Sequence, residues 1–239
     1  NSEKATLFAK GAPKFNENPK DTLLCAGTQH SLELPITDEE GLTFASDNVN
    51  AKMDLEKRVG EFVANGDASI VRFPKNQYIA YMERFKWFMD TEEIQLGDEN
   101  KKLDGSVENA LDLEGPQFIS VHPKQDSLRF LAPAAKYNLR KYIISCINVP
   151  FINVADARVY PDSGKVIIQK NAVMDTLKNA NIMANTVTKY HTIRNVTAKI
   201  FGGKSYLATG DYQYLDENNK PYLIKFNTIK PDTIGQTVS

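Results

Sequence analysis

Three short stretches of this 239-residue chain repeat one another in order, and that repetition limits the fold more than any other feature. Ala-Lys followed by an apolar residue occurs as Ala51-Lys52-Met53, Ala135-Lys136-Tyr137 and Ala198-Lys199-Ile200. The first continues as Asp54-Leu55-Glu56-Lys57 and the second as Asn138-Leu139-Arg140-Lys141. Upstream, Asn48-Val49-Asn50 resembles Asn195-Val196-Thr197. Downstream, Phe62-Val63-Ala64-Asn65-Gly66-Asp67 resembles Tyr206-Leu207-Ala208-Thr209-Gly210-Asp211. Each copy reads as strand, tight turn, strand, polar turn and further strand. A unit of that kind cannot bury an apolar face alone and must stack on a neighbour.

Short alternating apolar runs cover residues 42–53, 59–64, 128–147, 164–174, 196–201, 205–215 and 222–229. Turn material separates them, including Asn65-Gly66-Asp67, Pro161-Asp162-Ser163-Gly164, Gly202-Gly203 and Asp216-Glu217-Asn218-Asn219. Asn recurs at these places because it tolerates a left-handed backbone. The expectation is an all-β protein: stacked antiparallel strands in a repeat-built roll or sandwich, with one irregular or short helical excursion. The organisation reads as an N-terminal β segment or partial repeat (1–41), a β repeat with a polar excursion at 97–115 (42–127), a second β repeat (128–188) and a third, partial one (189–239). Residues 78–89 fit two periods. Tyr78, Tyr81, Met82, Phe85, Phe88 and Met89 share a helical face, whereas Tyr81, Phe85, Trp87 and Met89 share a strand face.

Lys and Arg total 29 against 30 Asp and Glu, which excludes a nucleic-acid binder working by bulk positive charge. No apolar run approaches the ~18 residues of a membrane-spanning helix. The chain opens Asn1-Ser2-Glu3 without a basic-then-apolar leader and reads as a fragment or a processed protein. Cys25 and Cys146 lie in apolar stretches and suit either two buried thiols or one long-range disulfide.

Signatures of chemistry are weak. Ala198-Lys-Ile-Phe-Gly-Gly203-Lys204-Ser205 imitates a phosphate loop but lacks a following helix, so it is expected to be a hairpin turn. His30, His122 and His191 have no metal-ligand spacing, and no nucleophile elbow is present. Acids cluster at Asp38-Glu39-Glu40, Glu92-Glu93 and Asp98-Glu99; a hydrolase would need two of them converging across a cleft. The expectation is a non-enzymatic protein with no catalytic, cofactor-binding or metal-binding residues. Tyr78, Tyr81, Phe85, Trp87 and Phe88 suit either core packing or an exposed aromatic platform; the latter would make a carbohydrate-binding or adhesion module.

Asp followed by Ser or Thr and an apolar residue occurs at Asp21-Thr22-Leu23, Asp126-Ser127-Leu128, Asp175-Thr176-Leu177 and Asp232-Thr233-Ile234. The triplet suits turns. It also resembles an O-glycosylation signal of exported Bacteroidetes proteins, which makes Thr22, Ser127, Thr176 and Thr233 candidate acceptors. The Ala-Lys-apolar/Asp-Leu-x-Lys unit followed by Ala-x-Gly-Asp is similar to the OstA-like family of lipopolysaccharide-transport β-jellyroll proteins. It also resembles long β-rich envelope proteins of Bacteroidetes. The resemblance implies an open roll of antiparallel strands, whose apolar interior carries acyl chains or packs as core, and no cofactor. It implies an exported scaffold, periplasmic or associated with the outer membrane. Its partners would be lipopolysaccharide or other envelope proteins met by strand addition, with edge-to-edge self-association. Side chains alternate across a strand, so Val49, Ala51, Met53, Phe62, Ala135, Tyr137, Val196, Ala198 and Ile200 are expected to face inward as lipid-facing or core residues. Lys52, Lys136 and Lys199 would then face solvent.

Overall fold

The computed structural model describes residues 43–66, 69–98, 117–185 and 191–239, together with the backbone of 22–25 and 32–34. It is all-β. Two antiparallel sheets, one of eight strands and one of thirteen, stack as a sandwich.

The chain builds both layers at once. Strands β1 (Thr22–Cys25) and β2 (Leu32–Leu34) pair with β4 (Val49–Asp54) and β3 (Phe44–Ser46) respectively. From β4 onward, hairpins alternate between layers. The eight-stranded sheet takes β4 with β5 (Val59–Ala64), β8 (Arg84–Phe88) with β9 (Glu93–Gly97), and β12 (Ala134–Asn138) with β13 (Ile143–Ile147). The thirteen-stranded sheet takes β6 (Ser69–Phe73) with β7 (Tyr78–Met82), β10 (Gln117–Ser120) with β11 (Arg129–Leu131), and β14 (Ile152–Val154) with β15 (Ala157–Tyr160). Crossings between layers are tight. Glu83 alone links β7 to β8, and its carbonyl accepts from Ala64 N–H at 2.6 Å.

After β16 (Val166–Ile168) the eight-stranded sheet ends. The other continues as a meander: β17 (Leu177–Ala184), β18 (His191–Gly202), β19 (Ser205–Leu215), β20 (Pro221–Pro231) and β21 (Thr237–Val238). Its register shifts between Leu177 and Ala180 and between Arg194 and Thr197. Asn179 and Asn195 stand at those shifts with φ of 53° and 51°. A bulge formed by a left-handed residue bends a strand and increases its twist, so these two Asn help curl the meander around the end of the core.

Several expectations are decided by this wiring. Residues 78–89 are two strands, not a helix; the only helical turns among the described residues are 3-10 turns at Asp162–Gly164 and Lys170–Ala172. The runs 42–53 and 128–147 are each split between layers by a corner. The boundary at 127/128 falls within the β10–β11 connection, and that at 188/189 falls in residues 186–190, which lie outside the described residues. So do most of the excursion at 97–115, the side chains of 1–41, and residues 67–68. The Ala-Lys copies are not all equivalent: Ala51 and Ala135 belong to the eight-stranded sheet, but Ala198 lies in β18 of the other. Small apolar residues face a core from either layer, so the motif marks an inward strand position without naming its sheet.

Candidate functional site

The interior is a set of cross-strand rows. In the eight-stranded sheet one row runs Ala51, Phe62, Phe85, Leu96, Ala135, Cys146, Val166, and the next runs Met53, Gly60, Trp87, Ile94, Tyr137, Ile144, Ile168. In the facing sheet a single row runs Val71, Ala80, Phe118, Phe130, Ile152, Val159, Ile182, Ile193, Tyr212 and Ile224. Between the layers aromatic rings fill the space. Phe118 stacks on Phe73 at 6.2 Å and on Phe130 at 5.8 Å, while Phe62 stacks on Phe85 at 4.7 Å. Phe62, Phe73, Phe85, Phe118 and Phe130 are all buried within one core cluster, so side chains pack this part of the sandwich.

Of the candidate lipid-facing or core residues, Val49, Met53, Ala135, Tyr137, Ala198 and Ile200 are buried, and Ala51 is half-buried against the same core. Lys52 and Lys199 are exposed. Lys136 is half-buried on the outer face, in a row that reads Lys52, Glu61, Lys86, Gln95, Lys136, Ser145. Glu61 meets Lys86 there at 2.9 Å, and that ammonium holds its carboxyl below the usual carboxylate range. Alternating charge keeps this face wet.

The aromatic platform does not form. Trp87 is only 7% exposed, Tyr78 and Phe85 are buried, Phe88 is half-buried, and Tyr81 opens to solvent. The expected strand face of Tyr81, Phe85, Trp87 and Met89 does not form, because the chain changes sheet at Glu83: Tyr81 points outward from β7, whereas Phe85 and Trp87 point inward from β8. Burial pushes the phenols of Tyr78 and Tyr137 well above their usual range, and that of Tyr206 up to about 12. Cys146 is a free buried thiol, likewise pushed up by desolvation. Cys25 occupies the same row at the far edge, six strands away, so the two Cα atoms lie on the order of 25 Å apart and cannot share a disulfide.

Two buried amides tie the layers together, and neither stands out in the sequence. Asn76, in the β6–β7 turn, donates to the carbonyls of Tyr142 at 2.7 Å, Gln169 at 3.0 Å and Ile168 at 3.3 Å. Gln125 donates to Ala172 O at 2.6 Å. The phosphate-loop look-alike is the β18–β19 hairpin turn, and it clamps this same loop: Gly203 N–H donates to Gln125 O at 2.9 Å, and Gly203 O accepts from Ala155 N–H at 2.8 Å. Gly202 is needed there because a Cβ would stand 2.8 Å from Gln125 Cα.

Other candidates stay apart. His122 lies in the 122–128 loop, and His191 reaches Tyr212 Oη at 3.1 Å. Glu92 is engaged by a bidentate Arg140, both bonds 2.7 Å. Among the described residues no cluster of His, Cys, Asp and Glu is placed to hold a metal. Ser127, Thr176 and Thr233 are exposed; the side chain of Thr22 lies outside the described residues.

The least expected surface is the distal half of the β19–β20 hairpin. Tyr212, Tyr214, Tyr222, Ile224 and Phe226 share one face, which continues the buried row of Ile182 and Ile193. Among the described residues the eight-stranded sheet has no strand beyond β16, and the face opens toward Tyr214 and Tyr222. Tyr222 is 45% exposed and Leu223, on the opposite face, 66%. Against known proteins, the chain matches no family model and no curated sequence.

Proposed function

We propose that this chain is a non-enzymatic β-repeat scaffold of the bacterial envelope that meets lipopolysaccharide or protein partners at its surface and edges rather than carrying lipid through its interior. The observation that carries the reading is the alternation of hairpins between two sheets around a core filled by Phe73, Phe118 and Phe130. That wiring supports kinship with OstA-like rolls, whose repeats also stack antiparallel strands, while the packed rings favour a scaffold over a conduit. Exposed Ser127, Thr176 and Thr233 support their reading as O-glycan acceptors on an exported protein. No helix among the described residues is long and apolar enough to cross a membrane.

The test places a photoreactive residue at half-buried Ala51 and, separately, at exposed Leu223 in cells that make the protein. A scaffold gives protein adducts at Leu223 and none with radiolabelled lipopolysaccharide at Ala51. Labelled lipopolysaccharide at Ala51 overturns it in favour of a conduit. Fractionation should recover the chain from periplasm or outer membrane, and intact-mass measurement should find hexose-containing adducts at the exposed triplets. Recovery with the cytoplasm overturns the compartment.

A further inference from the structure

We infer that the outer edge of β20 is a homodimer seam, in which a second copy adds antiparallel across a two-fold axis at Ile224. The inference rests on the strand-addition part of the proposed function and on nothing about lipid or compartment. Strand β20 pairs on its inner side with β19 along its length, but on its outer side only Lys230 and Pro231 meet β21. From Pro221 to Ile229 the outer backbone edge has no strand partner among the described residues. An open edge of that length is a template for another strand.

The occupant follows from the edge's own sequence. The ladder with β19 is regular from Pro221 to Phe226 and shifts before Ile229, so a partner strand finds about six residues of flat edge. In an antiparallel pair, residues directly opposite point to the same side. Centring on Lys225 would oppose two ammonium groups, and centring on Leu223 would leave Phe226 without a partner. Centring on Ile224 sets Ile224 against Ile224, Tyr222 against Phe226 and Lys225 against Leu223 of the second copy. Apolar side chains then meet on the face that continues the core, while each Lys225 stays beside Asp211 of its own chain. A seam of about six residues a side is well short of the roughly 20–30 a side of a standard specific interface, so the dimer is weak and concentration-dependent.

Sedimentation of the purified chain from micromolar to near-millimolar concentration should show a monomer passing to a dimer. Ile224→Lys, at a site already open to solvent, should shift the midpoint at least tenfold upward with an unchanged near-ultraviolet spectrum. Under mild oxidation Ile224→Cys should cross-link to itself, because two-fold partners lie within disulfide reach. Lys225→Cys alone should not, whereas mixing it with Leu223→Cys should. A strict monomer overturns the inference. So does a dimer indifferent to Ile224→Lys, which would shift strand addition to another edge without touching the scaffold reading. Equal cross-linking by Ile224→Cys and Lys225→Cys overturns the register.

Discussion

Phe118 and Tyr222 are both aromatic residues on antiparallel strands of the same sheet, yet one is buried on every side and the other is 45% exposed. The difference between their surroundings is a difference between two regions. From β3 to β16 each hairpin in one layer faces hairpins in the other, and the inner rows are closed. Among the described residues, the thirteen-stranded sheet runs on beyond β16 after its partner has ended. The proximal part of the meander curls over the end of the core and buries Ile200, Tyr206, Ala208 and Ile229, but its distal hairpin leaves Tyr214, Tyr222 and Ile224 on the same face exposed. An apolar strand face is therefore stable core or open surface according to whether a second sheet reaches it. The strand itself is built alike in both.

The comparison can be broken most forcefully with alkali. Neutral phenols are favoured in the covered region, so the folded pKa values of Tyr78, Tyr137 and Tyr206 lie above the ordinary 10.0. Stability from these groups is intact below pH 10 and falls as pH rises from there toward the folded values. Tyrosine absorbance and circular dichroism followed together should show the buried phenols ionising only as the sandwich unfolds. Smooth ionisation of all ten tyrosines with the fold intact would contradict the closed interior.

Substitutions sharpen the contrast in decreasing steps. Phe118→Ala removes a ring stacked on two others and should cost about 3–5 kcal/mol in urea unfolding. Asn76→Ala strips donors from the carbonyls of Tyr142, Ile168 and Gln169 and should cost about 1–3 kcal/mol, with early exchange of amides in the Lys170–Ala172 turn. Gly202→Ala must push the β18–β19 turn off Gln125, at a cost comparable to other overpacking changes, about 1–3 kcal/mol. Leu223→Ser, on the bare hairpin, should change monomer stability by no more than about 0.5 kcal/mol when measured at high dilution. A loss above 2 kcal/mol there would mean that the hairpin is part of the core after all.

The sequence determined the elements of this protein. Period-two alternation in stretches such as Val59–Ala64 and Ser205–Gly210, with Asn and Gly between strands, sufficed to specify β-strands and which of their side chains face inward, because both are local properties of a pleated chain. That is why Val49, Met53, Ala135, Tyr137, Ala198 and Ile200 could be read as inward-facing from the repeats alone, and why Gly202-Gly203 could be read as a turn. Only the tertiary structure decided which layer each strand joins. Ala51 and Ala198 carry the same motif into different sheets, since the corner at Asp47-Asn48 sends β4 into the eight-stranded sheet while β18 pairs with β17 inside the other. The amides of Asn76 and Gln125 were equally silent, because a polar residue in a turn reads as solvated until another turn is folded onto it. The open face of Tyr214 and Tyr222, which begins at half-buried Tyr212, alternates just as Tyr206, Ala208 and Gly210 do a few residues earlier. Whether such a face is core or surface depends on where the opposing sheet stops, and that is a property of the assembled layers rather than of the strand.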